Sequence, residues 1–356
     1  MNATNTPTST RWLRHSLLAT AALIGLASAQ AQDKTIYIGM NGGDMERSYV
    51  KYVFPAFEKI HGVKVVVVPG TSSDILAKVQ ASKDKPPVHV MFLDDGVMMR
   101  AIKMGLCQKL EHTAVLKDLY PSARMAGDMA AGVNVGMTGI AYNKKMFDEK
   151  KWAAPTSWMD FADPKFKGKV VFQSLPASTF GLHGFLMFNR IQGGTDKNVD
   201  PGFSKWGSTI GPNVLEYIPS SGKLSEMVQN GEAAIFPLTP TGVATQKARG
   251  IPMEYAQPKE GSVLLMVAEC VTAKNDNPVM AQKLAEFLLT PQAQAAALEF
   301  GNQIPSNVKT QPGTPAAQAT VERFKGYMKT VVTLDWDAIN ATRPEWNTRW
   351  NKTVER

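Results

Sequence analysis

The spacing of apolar residues from position 35 onward predicts strands and helices in alternation. Residues 35–40 form a short strand-like run. Tyr49, Val53, Phe57 and Ile60 then recur at three- and four-residue steps, which predicts a helix with one apolar face. From residue 35 the chain is therefore predicted to form a strand followed by an amphipathic helix.

Two further apolar runs are typical of strands buried in a parallel sheet. Residues 63–68 are mostly valine, and residues 88–93 form a second run that ends at Asp94 and Asp95. Between them, the Thr-Ser-Ser-Asp segment at 71–74 predicts the start of another helix, because hydroxyl and carboxylate side chains cap helix N-termini. Strands that alternate with helices indicate an α/β fold.

Two longer extended segments interrupt this alternation. Residues 133–143 alternate small and apolar residues, and residues 263–271 form a long apolar strand. A second set of strand-like runs, at 170–172 and 233–238, lies between them. We expect the two long segments to be crossover strands that carry the chain out of a first lobe and back into it.

The N-terminal pattern differs from the rest of the chain and indicates export. Two arginines precede an uncharged apolar run over residues 17–26, which ends in small residues. This is the layout of a secretory signal peptide. The apolar run is too short to span a membrane, which requires about 20 apolar residues. We assign residues 1–31 to a signal peptide cleaved after Ala29 or Ala31, and we expect the mature protein in the periplasm.

Composition limits the remaining possibilities. About 325 residues would follow the signal peptide, which is more than one hydrophobic core usually fills, so two lobes are expected. The formal net charge is +8, but lysines and arginines are interspersed with acids, which argues against nucleic acid as a partner. For Cys107 and Cys270 we favour two buried thiols over a disulfide, since their sequence positions say nothing about their distance.

Four motifs in the same order resemble the family-1 extracellular solute-binding proteins of ABC importers, and the spermidine/putrescine-binding branch in particular. Residues 156–170 resemble the family's T-S-W-x-D-L-x-x-P-x-Y-K-G-K-V segment, and residues 139–144 its G-I-x-Y-N hinge motif. Residues 281–291 resemble its A-x-x-F-x-x-F-L-L-x-P helix, and residues 301–307 its G-x-x-P-x-N turn. Together the four matches cover most of the chain after the signal peptide.

This resemblance implies an α/β, two-lobed periplasmic-binding-protein fold of type II, with the lobes joined by two crossover strands and a ligand enclosed by hinge closure. Carried onto this sequence, lobe 1 comprises residues 33–137 plus 265–307, and lobe 2 comprises residues 138–264 plus 308–356. The resemblance also implies a monomeric receptor without a cofactor or enzymatic activity. Its partners would be a small-molecule ligand and an inner-membrane ABC permease.

Ligand contacts are predicted at strand ends, because ligands of open α/β sheets lie outside the carboxyl ends of the strands. Hydroxyl-rich helix starts there suit an anionic group, although the same residues are also ordinary helix caps. Asp94 and Asp95 suit an ammonium group or cap the following helix. The predicted ligand-binding residues are Asn41, Thr71, Ser72, Asp94, Asp95, Tyr142, Ser174, Ser178, Thr179, Thr239 and Glu269.

Departures from the polyamine-binding branch argue against a polyamine ligand. Residues 173–177 contain no acid where that branch has an acidic pair. Residues 265–267, Leu-Met-Val, stand where it has Trp-x-Asp. Glu269 lies two residues further on and, by strand alternation, on the same side as Val267, so it is only a partial replacement. Each ammonium of a polyamine requires a carboxylate and its methylenes require aromatic walls, so a smaller zwitterion or an anion suits this sequence better.

Two other classes of protein are alternatives. A ferric-ion receptor of the same fold would use adjacent tyrosines, and the sequence contains no Tyr-Tyr pair. A secreted hydrolase would need a nucleophile and a base, but the five histidines form no HExxH pattern and no GxSxG motif is present. Only His183 lies near a predicted ligand-binding segment.

Overall fold

The computed structural model describes residues 34–111 and 113–355, so the predicted signal peptide lies outside the described residues. The helices are α1 Asp44–Ser48, α2 Phe54–His61, α3 Ser72–Ala81, α4 Asp95–Lys103, α5 Thr113–Leu116, α6 Lys144–Lys150, α7 Thr179–Ile191, α8 Asp200–Trp206, α9 Leu224–Gln229, α10 Pro240–Ala248, α11 Pro278–Leu288, α12 Pro291–Gly301, α13 Pro315–Tyr327 and α14 Trp336–Thr353. The strands are β1 Thr35–Met40, β2 Lys64–Pro69, β3 Val90–Asp94, β4 Cys107–Gln108, β5 Ala131–Asn143, β6 Val170–Gln173, β7 Val214–Ile218, β8 Ile235–Leu238, β9 Met253–Ala256, β10 Ser262–Thr272, β11 Ile304–Pro305 and β12 Val331–Val332. Over these ranges no helix combines the length and the hydropathy needed to cross a membrane.

The strand order shows how the two lobes are connected. The main path runs β2-β1-β3-β10-β5-β8-β6-β7. The outer strands pair in parallel, β1 with β2 and β3, and β6 with β7 and β8. The central strands β10 and β5 pair antiparallel with each other, and each also continues into one of the two outer groups. The predicted fold class, α/β with two lobes joined by two crossover strands, is confirmed.

Two separate groups of buried apolar side chains form the cores of the lobes. We call lobe 1 the part around Ile38, Phe57 and Phe92, which lies between the β1–β3 region and α11. Lobe 2 is the part around Phe172 and Trp206, which includes α7. Helix α14 packs into the core of lobe 2, whereas α13 packs on α12 of lobe 1. The exact lobe boundaries stay a prediction.

Two local expectations from the sequence are wrong. Tyr49, Val53 and Phe57 are buried as predicted, but Ile60 is 63% exposed, because α2 ends at Gly62 and its last turn extends past the core. Cys107 and Cys270 form a disulfide rather than two thiols. Strand β4 pairs antiparallel with β10 and brings the two Cα atoms to 5.8 Å, within the range that a disulfide bridges.

Candidate functional site

A cavity of about 860 Å³ lies between the two lobes. Lobe 1 contributes the loop after β1, the start of α3 and the end of β3, and lobe 2 contributes the start of α7, the loop at 219–222 and the start of α10. Residues of the crossover strands β5 and β10 form its floor. Much of the lining therefore consists of strand ends and helix starts, which is where ligands of α/β folds bind.

The first turns of three helices line this cavity. Thr71 caps α3, accepting a hydrogen bond from the Asp74 N–H at 3.2 Å, and Thr239 caps α10, accepting from the Gly242 N–H at 3.0 Å. Ser178 begins α7 without a side-chain cap bond. The N–H groups and the positive dipole ends of the three helices give this surface a preference for anionic groups.

Asp94 is the buried acid of the cavity. Its carboxylate accepts a hydrogen bond from the Thr179 hydroxyl at 2.5 Å, which joins β3 of lobe 1 to α7 of lobe 2. Its backbone N–H donates to the Ser72 hydroxyl oxygen at 3.0 Å. Burial raises the pKa of Asp94, while hydrogen bonds from Thr179, Ser72 and Asn41 and the positive charge of Arg343 oppose the rise. The side chain is thus an oriented acceptor at the base of the cavity.

At the mouth of the cavity, polar side chains connect the lobes directly. Asp44, at the start of α1, forms an ion pair with Arg249, which directly follows α10, with Oδ1 and Nη1 at 2.8 Å. Its Oδ2 accepts from Gln246 Nε2 at 2.6 Å, and Arg47 of α1 pairs with the same Oδ1 that Arg249 contacts. Thr241 also donates to the Asn302 carbonyl oxygen at 3.2 Å. The lobes are therefore in contact at the rim as well as at the base.

Seven of the eleven predicted ligand-binding residues lie together in this cavity. They come from five separate segments of the chain, and the strand-end rule alone selected all of them. The seven are Asn41, Thr71, Ser72, Asp94, Ser178, Thr179 and Thr239. For Thr71 and Thr239, the capping role that the sequence left open is present as well. A contact between any of these residues and a ligand stays a prediction.

Three other predicted residues lie outside the cavity and have partners within the protein. The Asp95 carboxylate accepts from Trp336 Nε1 at 3.1 Å and from the Gly96 N–H at 3.0 Å; burial, and then the charge of Asp94, raise its pKa to about 7. Tyr142 packs its ring on Phe147, with centroids 4.6 Å apart. Ser174 donates to Glu355 at 2.6 Å. Each of these three side chains therefore makes a structural contact within the protein and does not line the cavity.

Glu269 also lies outside the cavity. It is on the same face of β10 as Val267, as strand alternation predicts, but two residues further along, where lobe 1 covers the strand. There it is fully buried beside Leu110, Leu116 and Leu289, and neither carboxylate oxygen has a hydrogen-bond partner among the described residues. Burial raises the pKa of Glu269 to about 8. The sequence predicted the correct face of the strand, but not that Glu269 lies in the core of lobe 1 rather than in the cavity.

Several cavity residues were not predicted from the sequence. Ser220 and Ser221 lie in the connection between β7 and α9, Arg47 is an exposed position on α1, and Arg249 directly follows α10. None of them stands out in the sequence from ordinary surface residues. Asn134 lies within β5 and is 95% buried. The signal that could have identified it is an amide in the first half of a crossover strand whose residues there are otherwise small or apolar.

The described part of the chain has no group of three or more His, Cys, Asp or Glu side chains arranged to hold a metal ion. His183, the only histidine near a predicted ligand-binding segment, is fully buried on α7 and hydrogen-bonded to Thr138 at 2.9 Å. Burial lowers its pKa to about 3. The cavity chemistry is therefore that of hydroxyls, amides, backbone N–H groups, one buried carboxylate and, at the mouth, the ion pairs of Asp44 with Arg47 and Arg249.

Comparison with known proteins gives the same architecture. The chain is 22% identical over 364 residues to a putative 2-aminoethylphosphonate-binding periplasmic protein of Salmonella typhimurium, covering 96% of this chain and 99% of the relative. It is 24% identical over 311 residues to the spermidine/putrescine-binding periplasmic protein of Escherichia coli, covering 83% and 85%. The periplasmic binding protein AfuA of Actinobacillus pleuropneumoniae, solved with fructose-6-phosphate, superposes with a TM-score of 0.73 at 19% identity, covering 90% and 98%.

The resemblance found in the sequence motifs is confirmed by a model of a whole family. The model for the bacterial extracellular solute-binding proteins matches residues 53–342, a range that includes both crossover strands and most of both lobes. The two relatives above carry names of binding proteins rather than of enzymes. The chain belongs to the bacterial extracellular solute-binding protein family.

Proposed function

We propose that this protein captures a small organic zwitterion or anion between its lobes in the periplasm and presents it to an inner-membrane ABC permease. The observation that carries the proposal is the composition of the cavity between the lobes. Three helix starts line it around a single buried carboxylate, that of Asp94. Closure requires no chemical step, only stronger binding by the closed arrangement than by an open one.

The two kinds of group in the cavity suit the two ends of a zwitterion. Backbone N–H groups and hydroxyls at the starts of α3, α7 and α10 suit a phosphonate, phosphate or carboxylate. Asp94 suits an ammonium group, and its raised pKa falls again when a cation lies beside it. The name of the Salmonella typhimurium relative, a putative 2-aminoethylphosphonate-binding protein, supports a ligand of this class.

A polyamine ligand is less well supported by the same cavity. Phe180 is the one aromatic residue among the described residues that line it, so the aromatic walls expected around a methylene chain are missing. Of its acids, Asp44 is paired with Arg47 and Arg249, and Asp74 caps α3. Only Asp94 is left for an ammonium, whereas a diamine requires two acceptors.

A thermal-shift screen of the purified protein tests the proposal. Its panel comprises 2-aminoethylphosphonate, short amino acids, dicarboxylates, sugar phosphates, putrescine and spermidine. A ligand at 100 times its Kd stabilises the folded state by about 2.7 kcal/mol, which moves the melting temperature by several degrees. We expect shifts from zwitterions or anions and none from the polyamines. A strong shift with spermidine or putrescine alone would contradict the proposed ligand class.

Isothermal titration of the best compound then gives its affinity. The Ser72→Ala/Thr179→Ala double variant serves as the matched test, because both hydroxyls line the cavity and interact with Asp94. We expect it to weaken an anionic ligand far more than it lowers the melting temperature of the free protein. Equal effects on binding and on folding would mean that the two hydroxyls act only as structural partners of Asp94.

A further inference from the structure

The crossover strand β5 contains three glycines, and packing explains only two of them. A Cβ on Gly132 would collide with the Met266 side chain, and a Cβ on Gly139 would collide with side chains of β9 and β10. At Gly136, the nearest atom to such a Cβ is the Leu265 carbonyl oxygen at 3.8 Å, an ordinary van der Waals distance. The φ angle of Gly136 is not positive, so the backbone conformation does not require glycine there.

Gly136 lies where β5 borders the cavity between the lobes. Of the 13 residues of β5, Val135 and Gly136 are the two that are not buried, and both line the cavity. Glycine weakens the interior of a strand, because it has no side chain to pack and loses more backbone freedom on folding than other residues. A glycine at such a position is typical of a place where a ligand approaches the backbone closely.

Apolar side chains lie beside Gly136 on the cavity floor. Leu265 is opposite Gly136 in the pairing of β10 with β5, and Val267 lies two residues further along β10. Val267 is in turn opposite Asp94 of β3, and all four residues line the cavity. Strands about 4.8 Å apart, with a rise of about 3.4 Å per residue, put the Cα atoms of Asp94 and Gly136 roughly 12 Å apart. The floor therefore extends from a carboxylate, past two apolar side chains, to bare backbone.

We propose that Gly136 is a specificity-determining residue: the carbon skeleton of the bound solute lies directly on its backbone, and the amine of the solute lies at Asp94. The inference rests on the proposed function and locates the solute on the floor of the cavity rather than at its mouth. A compact aminoalkyl acid fills only a small part of a cavity of about 860 Å³, so its position decides which residues select it. A side chain at position 136 would occupy the space of the solute's methylene groups and would exclude longer solutes first.

A size series at position 136 separates this role from flexibility of the crossover strand. Replacement of glycine by any other residue restricts the backbone, whereas steric exclusion grows with the size of the new side chain. Isothermal titration with 2-aminoethylphosphonate is therefore compared for the wild-type protein, Gly136→Ala and Gly136→Leu. We expect the Kd to rise severalfold for Gly136→Ala and at least a hundredfold for Gly136→Leu. Gly207→Leu, at an exposed position outside the cavity with open space around it, is the matched control and should leave the Kd unchanged.

A second experiment does not depend on the identity of the ligand and uses the Gly136→Cys variant. Both native cysteines are joined in a disulfide, so this variant carries a single free thiol. We expect iodoacetamide to alkylate this thiol in the free protein, and a saturating solute to slow the alkylation at least tenfold, as measured by mass spectrometry. Protection is measured with 2-aminoethylphosphonate and with every other compound of the thermal-shift panel that stabilises the wild-type protein. Melting curves of the free variants show whether each one is folded.

The outcomes separate the inference from the proposed function. If the wild-type protein binds 2-aminoethylphosphonate but the Kd is the same across the series, or rises at Gly136→Ala and no further at Gly136→Leu, the inference is wrong and the proposed function stands. A thiol that does not react in the free protein, or that no stabilising solute protects, also overturns the inference. If putrescine alone stabilises the protein and protects the thiol, the proposed ligand class is overturned, whereas the location of the solute on Gly136 is supported.

Discussion

The contact at the mouth of the cavity leads to a quantitative prediction about closure. Asp44 of lobe 1 bonds to Arg249 and Gln246 of lobe 2, so these bonds exist only when the lobes are together. Asp44→Asn keeps the shape of the side chain and removes its charge. An exposed ion pair is worth about 0.2–1 kcal/mol, and a hydrogen bond to a charged group about 1.5–3 kcal/mol. Because the Asp44 side chain is 28% exposed, we expect a net loss of about 1 kcal/mol.

This loss should appear in binding rather than in folding. If the ligand binds the closed arrangement, weakening closure by about 1 kcal/mol raises the apparent Kd about fivefold, mainly through faster dissociation. Isothermal titration with the ligand found in the solute screen measures the apparent Kd, and stopped-flow kinetics measures the dissociation rate. Asp84→Asn is the matched control, because Asp84 pairs with Lys274 at 2.6 Å within lobe 1 and lies far from the rim in sequence and contact.

A double-mutant cycle with Arg249→Gln separates this effect from direct ligand contact, since Asp44 and Arg249 both line the cavity. If the pair acts by holding the lobes, Asp44→Asn should add little to Arg249→Gln, and the coupling should approach the effect of either change alone. Strictly additive losses would instead indicate two independent contacts with the ligand. A Kd for Asp44→Asn equal to that of the control variant would refute the reasoning altogether.

Three further predictions concern stability. Burial raises the pKa of Glu269 from 4.5 to about 8, so the contribution of this group to stability is complete below about pH 4.5 and is lost as the pH rises through 8. The melting temperature of Glu269→Gln should therefore fall less between pH 5 and pH 9 than that of the wild-type protein. Parallel melting profiles of the two proteins would contradict this. Gly96→Ala should destabilise the protein by about 1–3 kcal/mol, because a Cβ there would lie 2.4 Å from the Trp336 ring, whereas Gly207→Ala, with open space around it, should be neutral in the same denaturant titration. Replacing Cys107 and Cys270 with alanine should cost roughly 2–4 kcal/mol in urea unfolding, since the bridge closes a loop with a sequence separation of 163; wild-type stability would mean that the disulfide is dispensable.

Features that depend on neighbouring residues in the sequence could be predicted, whereas features that depend on contacts between distant segments could not. The strand-end rule selected Asp94 and Thr179, which line the cavity, because the end of an apolar run can be recognised from neighbouring residues alone. Asn134 lies beside a bulge in β5, where Val267 of β10 pairs with Asn134 but Ala268 pairs with Gly132. This register joins strands more than 120 residues apart, and no local pattern of the sequence contains it. The disulfide was missed for the same reason, since only the pairing of β4 with β10 brings the cysteines together.

Glu269 shows a different limit. Alternation along a strand states which face a side chain occupies, and the prediction that Glu269 shares the face of Val267 is correct. It does not state where the cavity ends and the core begins, which is decided by the residues of lobe 1 that cover the strand. A carboxylate in an apolar run was therefore assigned to the ligand, although it lies in the core.

The position of Trp336 between the lobes means that its fluorescence should report whether the lobes are closed. Its ring belongs to the core of lobe 2, while its indole N–H bonds to Asp95 and its face abuts Gly96 at the start of α4 in lobe 1. Separation of the lobes would expose this indole to water and shift its emission to longer wavelengths. Trp158, Trp206 and Trp350 are buried within lobe 2 and would give a constant background. Solute capture can thus be followed by intrinsic fluorescence, with Trp336→Phe as the silent reference.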